Sequence, residues 1–273
     1  MIHGIDVHGS KGVVDWAKAR AFGVSFAWIK ASEGKTFDDA RFAENRRNAK
    51  AAGIRVGAYH YARPDNNTPA EEAEHFLRRA KPRPGELLPV LDYEAPEAGG
   101  LAAATLVRWE DEWLDIVQAA IGARPIFYSF PSYITSKMGG GGLALGERPL
   151  WLASYGPNDG EPHAASPVGA WTKIAAHQFT SNGRVPGVRG KCDRNRLLEG
   201  NLDAITYTGP AAMVKFELWD NEQKLAESRP VKAGGQLEAA GYRRFVTFRA
   251  PLALRRLRGE QPVGSISIKR RPV

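Results

Sequence analysis

The chain has 273 residues, of which 43% are hydrophobic and 25% are charged, and this composition is typical of a globular protein with a sizeable core. No stretch approaches the roughly 18 consecutive apolar residues that a membrane-spanning helix needs, so we do not expect an integral membrane protein. The one cysteine, Cys192, excludes an intramolecular disulfide bond.

The net charge of +8 is concentrated at the C-terminal end of the chain. Residues 211–273 contain 13 Lys and Arg against 6 Asp and Glu, whereas residues 1–210 contain 25 against 24. A nearly neutral body is therefore followed by a basic region.

Short apolar runs alternate with longer periodic segments over residues 1–129, which is the pattern of consecutive βα units around a parallel sheet. The predicted strands are residues 2–7, 26–31, 55–61, 88–92 and 125–129. The predicted helices are residues 13–21, 41–52, 69–80 and 103–120. Thr68 can cap the third helix, with Pro69 in its first position.

After residue 129 the glycine run 139–142 and many Pro and Gly residues interrupt any long helix. Short strands are still predicted at 150–154, at 175–179 and near Cys192. The pattern therefore predicts an α/β fold, an irregular TIM-like (β/α)5(β)3 barrel of about eight strands whose last third lacks crossover helices.

A boundary is predicted at Gly209-Pro210. Beyond it, four segments favour strands: 214–219, 224–229, 244–249 and 265–269. We therefore expect a catalytic barrel over residues 1–209 and a small basic β-rich domain of unknown role over residues 210–273.

Acidic residues follow or end several predicted strands, where a βα barrel has its active site. They are Asp6, Glu33, Asp92, Glu94 and Asp193. Asp92 and Glu94 are two residues apart on an extended segment, so their side chains project to the same side. Close carboxyls push each other's pKa values apart, which gives the proton donor and the negative charge that glycoside hydrolysis requires.

The residues alone leave other interpretations open. The acid pair is equally typical of a helix cap or a solvated loop, and a carboxylate cluster could bind Mg²⁺ or Mn²⁺. Aromatic residues at the same strand ends favour a sugar ligand, although each could simply belong to the core. These aromatic residues are Tyr59, Tyr61, Tyr128, Trp151, Tyr155 and Phe179. His60 is predicted to be buried and hydrogen-bonded rather than a base.

Several motifs occur in a family-specific order. They are Gly4-Ile5-Asp6-Val7, Ile-Lys-Ala-Ser-Glu-Gly at 29–34, Gly-Ala-Tyr-His-Tyr-Ala at 57–62, Leu91-Asp92-Tyr93-Glu94, Leu-Trp-Leu-Ala-Ser-Tyr at 150–155, His-Gln-Phe-Thr-Ser-Asn-Gly-Arg-Val-Pro-Gly at 177–187, and Asp193-Arg194-Asn195. Together they resemble glycoside hydrolase family 25, the Chalaropsis-type lysozymes, over residues 1 to about 207.

The resemblance implies a β-1,4-N-acetylmuramidase that cleaves peptidoglycan between N-acetylmuramic acid and N-acetylglucosamine without a metal or other cofactor. Glu94 would be the general acid. Asp92 would either stabilise an intermediate formed by the substrate's N-acetyl group or assist water, and Asp6 and Asp193 would be further acids of the pocket. The predicted substrate-binding residues are Glu33, Tyr59, Tyr61, Tyr128, Trp151, Tyr155, Gln178 and Asn195.

Two other functions stay open at this point. A cell-wall glycan-binding protein without activity would use the same barrel, but no acid of the motifs is lost. A metal-dependent hydrolase would need ligands that the sequence does not offer as a His pair with suitable spacing.

The basic region could be a solvated surface or a patch that binds an anionic cell-envelope surface. Its expected contributors are Arg255, Arg256, Arg258, Lys269, Arg270 and Arg271. Specific nucleic-acid binding is less favoured, because no nucleic-acid-binding motif accompanies the charge.

Residues 1–6 lack the basic segment, apolar run and cleavage site of a secretory signal. We therefore expect a bacteriophage endolysin or virion-associated lysin, made in the host cytoplasm and acting on the cell wall after release. A prophage-encoded enzyme, or a bacterial enzyme exported by another route, is the alternative.

Overall fold

The computed structural model describes residues 2–94, 100–142, 145–198 and 200–209, and beyond them the backbone of six strands between residues 213 and 272. The chain divides into two compact units, Met1–Gly209 and Pro210–Val273. Among the helices in the described ranges, none is both long enough and apolar enough to cross a membrane.

The first unit contains nine strands and four α-helices in its described ranges. The strands are β1 (His3–Val7), β2 (Val24–Glu33), β3 (Phe37–Asp38), β4 (Arg55–Tyr61), β5 (Val90–Asp92), β6 (Ile126–Ser129), β7 (Leu150–Ala153), β8 (Ala176–Gly183) and β9 (Cys192–Leu197). The helices are α1 (Trp16–Ala21), α2 (Phe42–Ala51), α3 (Pro69–Ala80) and α4 (Ala103–Ile121).

Eight of these strands close a barrel in the order β1, β2, β4, β5, β6, β7, β8, β9. Neighbours from β1 to β8 are parallel, and β9 closes the barrel by pairing antiparallel with both β8 and β1. The short strand β3 folds back as a hairpin on the end of β2, which extends β2 beyond its predicted range. The predicted irregular α/β barrel is confirmed.

The crossover helices disappear in the last third of the barrel, as the sequence predicts. After β6 the chain forms a π-helical turn, Tyr133–Lys137, and a single 3₁₀ turn, Leu145–Glu147. Gly139, Gly140 and Gly141 all have positive φ values, of 62°, 94° and 79°, which non-glycine residues rarely adopt. The glycine run therefore ends the helical segment before a full crossover helix can form.

Helix α3 begins where the sequence places its start signal. The Thr68 side chain accepts a hydrogen bond from the backbone N–H of Glu71, and the Glu71 side chain accepts one from the backbone N–H of Thr68. This reciprocal cap satisfies two backbone donors that a helix start otherwise leaves unpaired.

The barrel interior is filled by aromatic side chains. Trp28 of β2 stacks on Trp151 of β7 with ring centroids 4.3 Å apart, and Tyr128 of β6 packs at 4.5 Å against the same Trp151 ring. All three side chains are buried. The end of the barrel that carries the acids therefore rests on a packed aromatic layer.

The second unit is β-rich. Its strands are β10 (Met213–Asp220), β11 (Gln223–Glu227), β12 (Val231–Lys232), β13 (Gln236–Leu237), β14 (Val246–Thr247) and β15 (Ile266–Pro272). Strand β10 pairs antiparallel with β11, β12 and β15, and β13 pairs with β14. Of the predicted basic contributors, Arg255, Arg256 and Arg258 lie outside the described residues.

Candidate active site

Four acidic residues meet at the end of the barrel where the parallel strands finish. Asp6 lies in β1, Asp92 ends β5, Glu94 follows two residues later, and Asp193 lies at the start of the antiparallel β9. In the strand order β9 stands opposite β5. Asp92 and Glu94 therefore form one wall of the barrel mouth, and Asp6 and Asp193 form the other.

Asp6 and Asp193 are directly opposite each other in the β1–β9 pair, so both project to the same side of the sheet. Burial raises the pKa of Asp6 to about 6, although hydrogen bonds from Asn195 and Gln178 act in the other direction. Burial and the charge of Asp6 raise the pKa of Asp193 to about 8. Burial and mutual repulsion therefore disfavour the state in which both carboxyls of this pair are ionised.

Asp92 is 7% exposed, and its Oδ1 atom is buried without a hydrogen-bond partner among the described residues. Burial and the charge of Glu94 raise the pKa of Asp92 well above its ordinary value, while the charge of Lys30 opposes them. A buried polar atom without a partner costs free energy. Among the described residues this oxygen therefore leaves an unused hydrogen-bond acceptor at the barrel mouth.

Glu94 is half-buried, and the residue before it fixes the course of the chain. The backbone N–H of Tyr93 donates to the carbonyl of Tyr128 at 3.0 Å, and the carbonyl of Tyr93 accepts from Ser129 Oγ at 2.7 Å. The Tyr93 hydroxyl donates to the carbonyl of Leu106 at 3.0 Å. The segment thus stays extended beyond β5, which keeps the Asp92 and Glu94 side chains on one side.

Gln178 of β8 connects two tyrosines, Tyr128 and Tyr155, to Asp6. Its Oε1 atom accepts hydrogen bonds from the Tyr128 hydroxyl at 2.9 Å and the Tyr155 hydroxyl at 2.7 Å. Its Nε2 atom donates to Asp6 Oδ1 at 2.9 Å. Because both tyrosine hydroxyls donate to the amide oxygen, the amide nitrogen of Gln178 is directed at Asp6.

Asn195 of β9 connects a further aromatic residue, Trp151, to Asp6 in the same way. Its Nδ2 atom donates to Asp6 Oδ1 at 2.8 Å, and its Oδ1 atom accepts from Trp151 Nε1 at 2.8 Å. The structure therefore brings Gln178, Asn195 and Trp151 together around Asp6. These side chains orient Asp6, and Gln178 and Asn195 contact it directly.

Tyr59 of β4 lies among the acids. It is buried, and burial together with the charges of Asp6, Asp92 and Asp193 raises its pKa well above the ordinary value. Tyr128 has the same character, because burial and the charge of Glu94 raise its pKa. Both phenols are therefore neutral hydrogen-bonding groups rather than bases.

Glu33 and Tyr61 belong to a separate group at the mouth, with two cations that the sequence did not single out. Lys30 Nζ donates to Glu33 Oε2 at 2.6 Å and lies 4.7 Å from the centroid of the Tyr61 ring. Arg63 Nε donates to Glu33 Oε1 at 2.8 Å, and its Cζ atom lies 4.8 Å from the same ring centroid. Burial acts to raise the pKa of Glu33, but the hydrogen bonds from Lys30 and Arg63 outweigh it and lower the pKa.

A sequence signal for Lys30 exists. It lies two residues after Trp28 on the same strand, so period-two alternation places it on the barrel-interior face at the mouth. Arg63 follows β4 in a loop two residues after Tyr61, so its contact with the Tyr61 ring is local in sequence. Its hydrogen bond to Glu33 spans 30 residues and has no comparable signal.

His60 is separated from the site. Its Nδ1 atom lies 2.8 Å from Ser32 Oγ and its Nε2 atom 2.8 Å from Glu72 Oε2, and none of the three residues is exposed. The prediction that His60 is a buried, hydrogen-bonded residue is confirmed. Among the described residues, no group of three or more His, Cys, Asp or Glu side chains is placed to hold a metal ion.

Comparisons with known proteins agree on one family. Residues 5–188 match the family described as Glycosyl hydrolases family 25. Lysozyme M1 of Streptomyces globisporus is 33% identical over 203 residues, which cover 72% of this chain and 67% of that protein.

Solved structures are similar over the same part of the chain. The bacterial lysozyme from Streptomyces coelicolor has a TM-score of 0.70 and 29% identity, covering 76% of this chain and 97% of that one. The CTP1L endolysin has a TM-score of 0.59 and 30% identity, covering 73% of this chain and 67% of that one.

Proposed function

Because the chain belongs to glycoside hydrolase family 25, we propose that its barrel is a lysozyme that hydrolyses the β-1,4 bond between N-acetylmuramic acid and N-acetylglucosamine in peptidoglycan. The observation that carries this proposal is the grouping of four acids at the barrel mouth. The Asp92–Glu94 segment follows β5, and the Asp6–Asp193 pair lies on β1 and β9, on the opposite side of the closed barrel. Glycoside hydrolysis needs a proton donor and a negative charge close to one bond, and the carboxyls at this mouth are groups that can supply these two roles.

Glu94 is the proton donor in this proposal. It is half-buried at the rim, whereas Asp92 is almost fully buried below it, so Glu94 is the carboxyl that can reach the leaving oxygen. Its proton passes to the glycosidic oxygen as the bond from that oxygen to the anomeric carbon breaks. Water forms the new bond to the anomeric carbon, directly or after the substrate's N-acetyl oxygen has bonded there, and the proton that water loses returns to the carboxyls of the site.

Asp92 supplies the negative charge. In the free enzyme, burial and the charge of Glu94 raise the pKa of Asp92 and favour a proton on it. Because the charge of Glu94 acts on Asp92, a proton on one of these carboxyls favours ionisation of the other. Positive charge at the anomeric carbon favours the ionised form of Asp92 and leaves the proton on Glu94, where donation requires it.

Substitution of Glu94 tests this assignment. We expect wild-type enzyme to clear a peptidoglycan suspension and release fragments with N-acetylmuramic acid at the reducing end. Glu94→Gln keeps the size but loses the proton donor, so its kcat should fall by about a thousandfold. Glu74→Gln, which changes an exposed glutamate on α3, is the matched control and should retain wild-type rates. Wild-type rates for Glu94→Gln would show that another group donates the proton.

We also propose that residues 210–273 hold the enzyme on an anionic cell-envelope surface such as teichoic acid, lipopolysaccharide or phospholipid head groups. The excess of Lys and Arg in this region supports the proposal. So does the register of β10 and β15, which sets Lys215 opposite Arg271 and brings two cationic positions together. Removal of these residues should weaken cell-wall binding at low salt, and unchanged binding would contradict the proposal.

For the biological setting we propose an endolysin that is made in the host cytoplasm and reaches the wall when the membrane is breached. The similarity to the CTP1L endolysin supports this setting. Expressed in a bacterium whose wall it digests, the enzyme should leave cells intact until a pore-forming agent is added, and lysis should then follow within minutes. Enzyme that accumulates in the medium of intact cells would contradict it.

A further inference from the structure

A cluster of cations borders the barrel mouth outside the residues already discussed. It consists of Lys11, in the loop after β1, and Arg184, Arg189 and Lys191, in the turn between β8 and β9, and we call it the basic rim. The three residues of the turn are exposed, and Lys11 is half-buried. Residues 184–191 contain no Asp or Glu, so the turn carries positive charge only.

Hydrogen bonds fix the basic rim in place. Lys11 Nζ donates to the backbone carbonyl of Lys191 at 2.5 Å, and the Arg189 guanidinium donates to the backbone carbonyl of Ser10. The backbone N–H of Asp15 donates to the carbonyl of Gly187 at 2.9 Å. The turn is therefore clamped to the loop after β1, and its charges occupy a defined position.

The basic rim lies next to the catalytic acids. Strand β9 begins directly after Lys191 and carries Asp193 in its second position. The charge of Lys11 acts to lower the pKa of both Asp6 and Asp193, against the burial that raises them. A polymer that occupies the barrel mouth therefore passes within reach of the rim.

In the described part of the structure, none of the four cations of the rim forms an ion pair with a carboxylate. Asp15, the exposed acid beside the turn, is instead paired with Lys18 at 3.0 Å. The rim is thus free to bind an anionic group from outside.

We propose that the basic rim binds the carboxylates of the peptide stems that peptidoglycan carries on its muramic acid residues. This inference rests on the proposed function, which places the glycan strand in the barrel mouth. Sugar hydroxyl and acetamide groups carry no charge, so the glycan backbone offers the rim no ionic partner. The stems project sideways from every second sugar and end in carboxylates, which complement a cationic surface beside the cleft.

A double substitution tests the rim without disturbing its anchors. The side chains of Arg184 and Lys191 make no hydrogen bond among the described residues, so Arg184→Gln/Lys191→Gln should keep the fold. We expect kcat/KM to fall about fivefold on peptidoglycan that carries stems, because each exposed ion pair contributes modestly. On glycan strands that an amidase has stripped of stems, and whose freed lactyl carboxylates have then been converted to uncharged amides, kcat/KM should change less than twofold. Arg184→Glu/Lys191→Glu should have a larger effect on the stem-bearing substrate.

Matched controls separate this effect from a general loss of charge. Arg47 on α2 and Arg78 on α3 are exposed cations on the outside of the barrel, and Arg47→Gln/Arg78→Gln should change neither activity. The preference of the wild type for stem-bearing substrate should also shrink as salt rises, because salt screens exposed charges.

Three outcomes would overturn the inference. The first is an equal loss of kcat/KM by the double Gln variant on stem-bearing and on stripped glycan, and the second is no loss on either substrate. The third is a loss seen only on walls that retain teichoic acid, which would show that the rim binds phosphate. Wild-type enzyme that cleaves neither substrate would instead contradict the proposed function itself.

Discussion

Lys30 of β2 is a cation whose charge acts on Asp92 at the end of β5. Its charge opposes the burial and the charge of Glu94 that raise the pKa of Asp92, and it is itself held by Glu33 at 2.6 Å. Lys30 therefore favours the ionised form of Asp92, which the proposed reaction needs at its transition state.

Substitution of Lys30 should change the pH dependence of catalysis. In Lys30→Gln the pKa of Asp92 should rise further, because one of the charges that oppose the rise is lost. The acidic limb of the plot of kcat/KM against pH should move to higher pH, and kcat/KM on the acidic side should fall about tenfold.

The control for this change is Lys35→Gln, which removes another cation close by in sequence that is exposed and paired with Glu71 at 3.1 Å. It should leave the pH profile unchanged. An unshifted profile for Lys30→Gln would show that Lys30 does not act on Asp92.

The residues of the site differ in how far the sequence reveals them. Asp6, Asp92, Glu94 and Asp193 stand at predicted strand ends, so their meeting at one end of the barrel follows from the topology. The contact of Lys30 with Tyr61 and the hydrogen bond from Arg63 to Glu33 depend on how β2 and the loop after β4 approach each other, and no local pattern encodes that approach.

At the scale of elements, α4 carries an unusual buried acid. Glu110 is 0% exposed, and neither of its carboxylate oxygens has a hydrogen-bond partner among the described residues. Burial and the charge of Asp111 raise its pKa well above 4.5, while Arg148 opposes them. The folded barrel therefore keeps Glu110 neutral at a pH where the unfolded chain ionises it.

This acid should make the barrel less stable as the pH rises. The pKa of Glu110 is raised in the folded chain, so the stability that its protonated form allows the fold is fully present below about pH 4.5. That stability is lost as the pH climbs toward the pKa of the folded state. Glu110→Gln removes the ionisation, so its melting temperature should match that of the wild type near pH 4 and exceed it by several degrees at pH 8.

Glu112 is an exposed acid on the same helix and provides the control. The melting temperature of Glu112→Gln should show no such gain over the wild type at pH 8. Equal melting temperatures for Glu110→Gln and wild type at pH 8 would mean that the buried carboxyl finds a partner in solution.

The elements with buried, periodic faces are those that the sequence predicts well. Strand β3 was missed, because its two residues are exposed and Phe37 is 53% exposed, so no alternation marks them. Helix α1 begins at Trp16 rather than at residue 13, because the Asp15 side chain caps it by accepting from the N–H of Lys18. A capping residue inside a stretch of helical periodicity therefore moves the start of the helix, although the hydrophobic pattern stays the same.

At the scale of the whole molecule, charge and structure divide at the same place. The nearly neutral Met1–Gly209 unit holds every residue of the site, and the basic excess follows it. The sequence could predict this division from composition and from Gly209-Pro210, but not the partner of the second unit, because charge alone selects no particular anion.

The isolated barrel should therefore keep its chemistry. A chain that ends at Gly209 should cleave soluble glycan fragments with kcat/KM within about twofold of the full chain, because the proposed catalytic residues and the hydrogen-bond partners of Asp6 are retained. A reducing-sugar assay measures this directly. A loss greater than tenfold in a folded barrel would show that residues 210–273 take part in the reaction.

Strand β9 closes the barrel and also supplies Asp193 and Asn195, and Asp6 is bonded to partners 172 and 189 residues further along the chain. We therefore expect activity to appear only once the barrel is complete. A nascent chain that ends before β9 holds three of the four acids, and a folding intermediate that lacks the β1–β9 seam does not bring Asp193 beside Asp6. The appearance of hydrolysis during refolding should thus report the closing of that seam, and a circular permutant that breaks β9 should lose activity before it loses secondary structure.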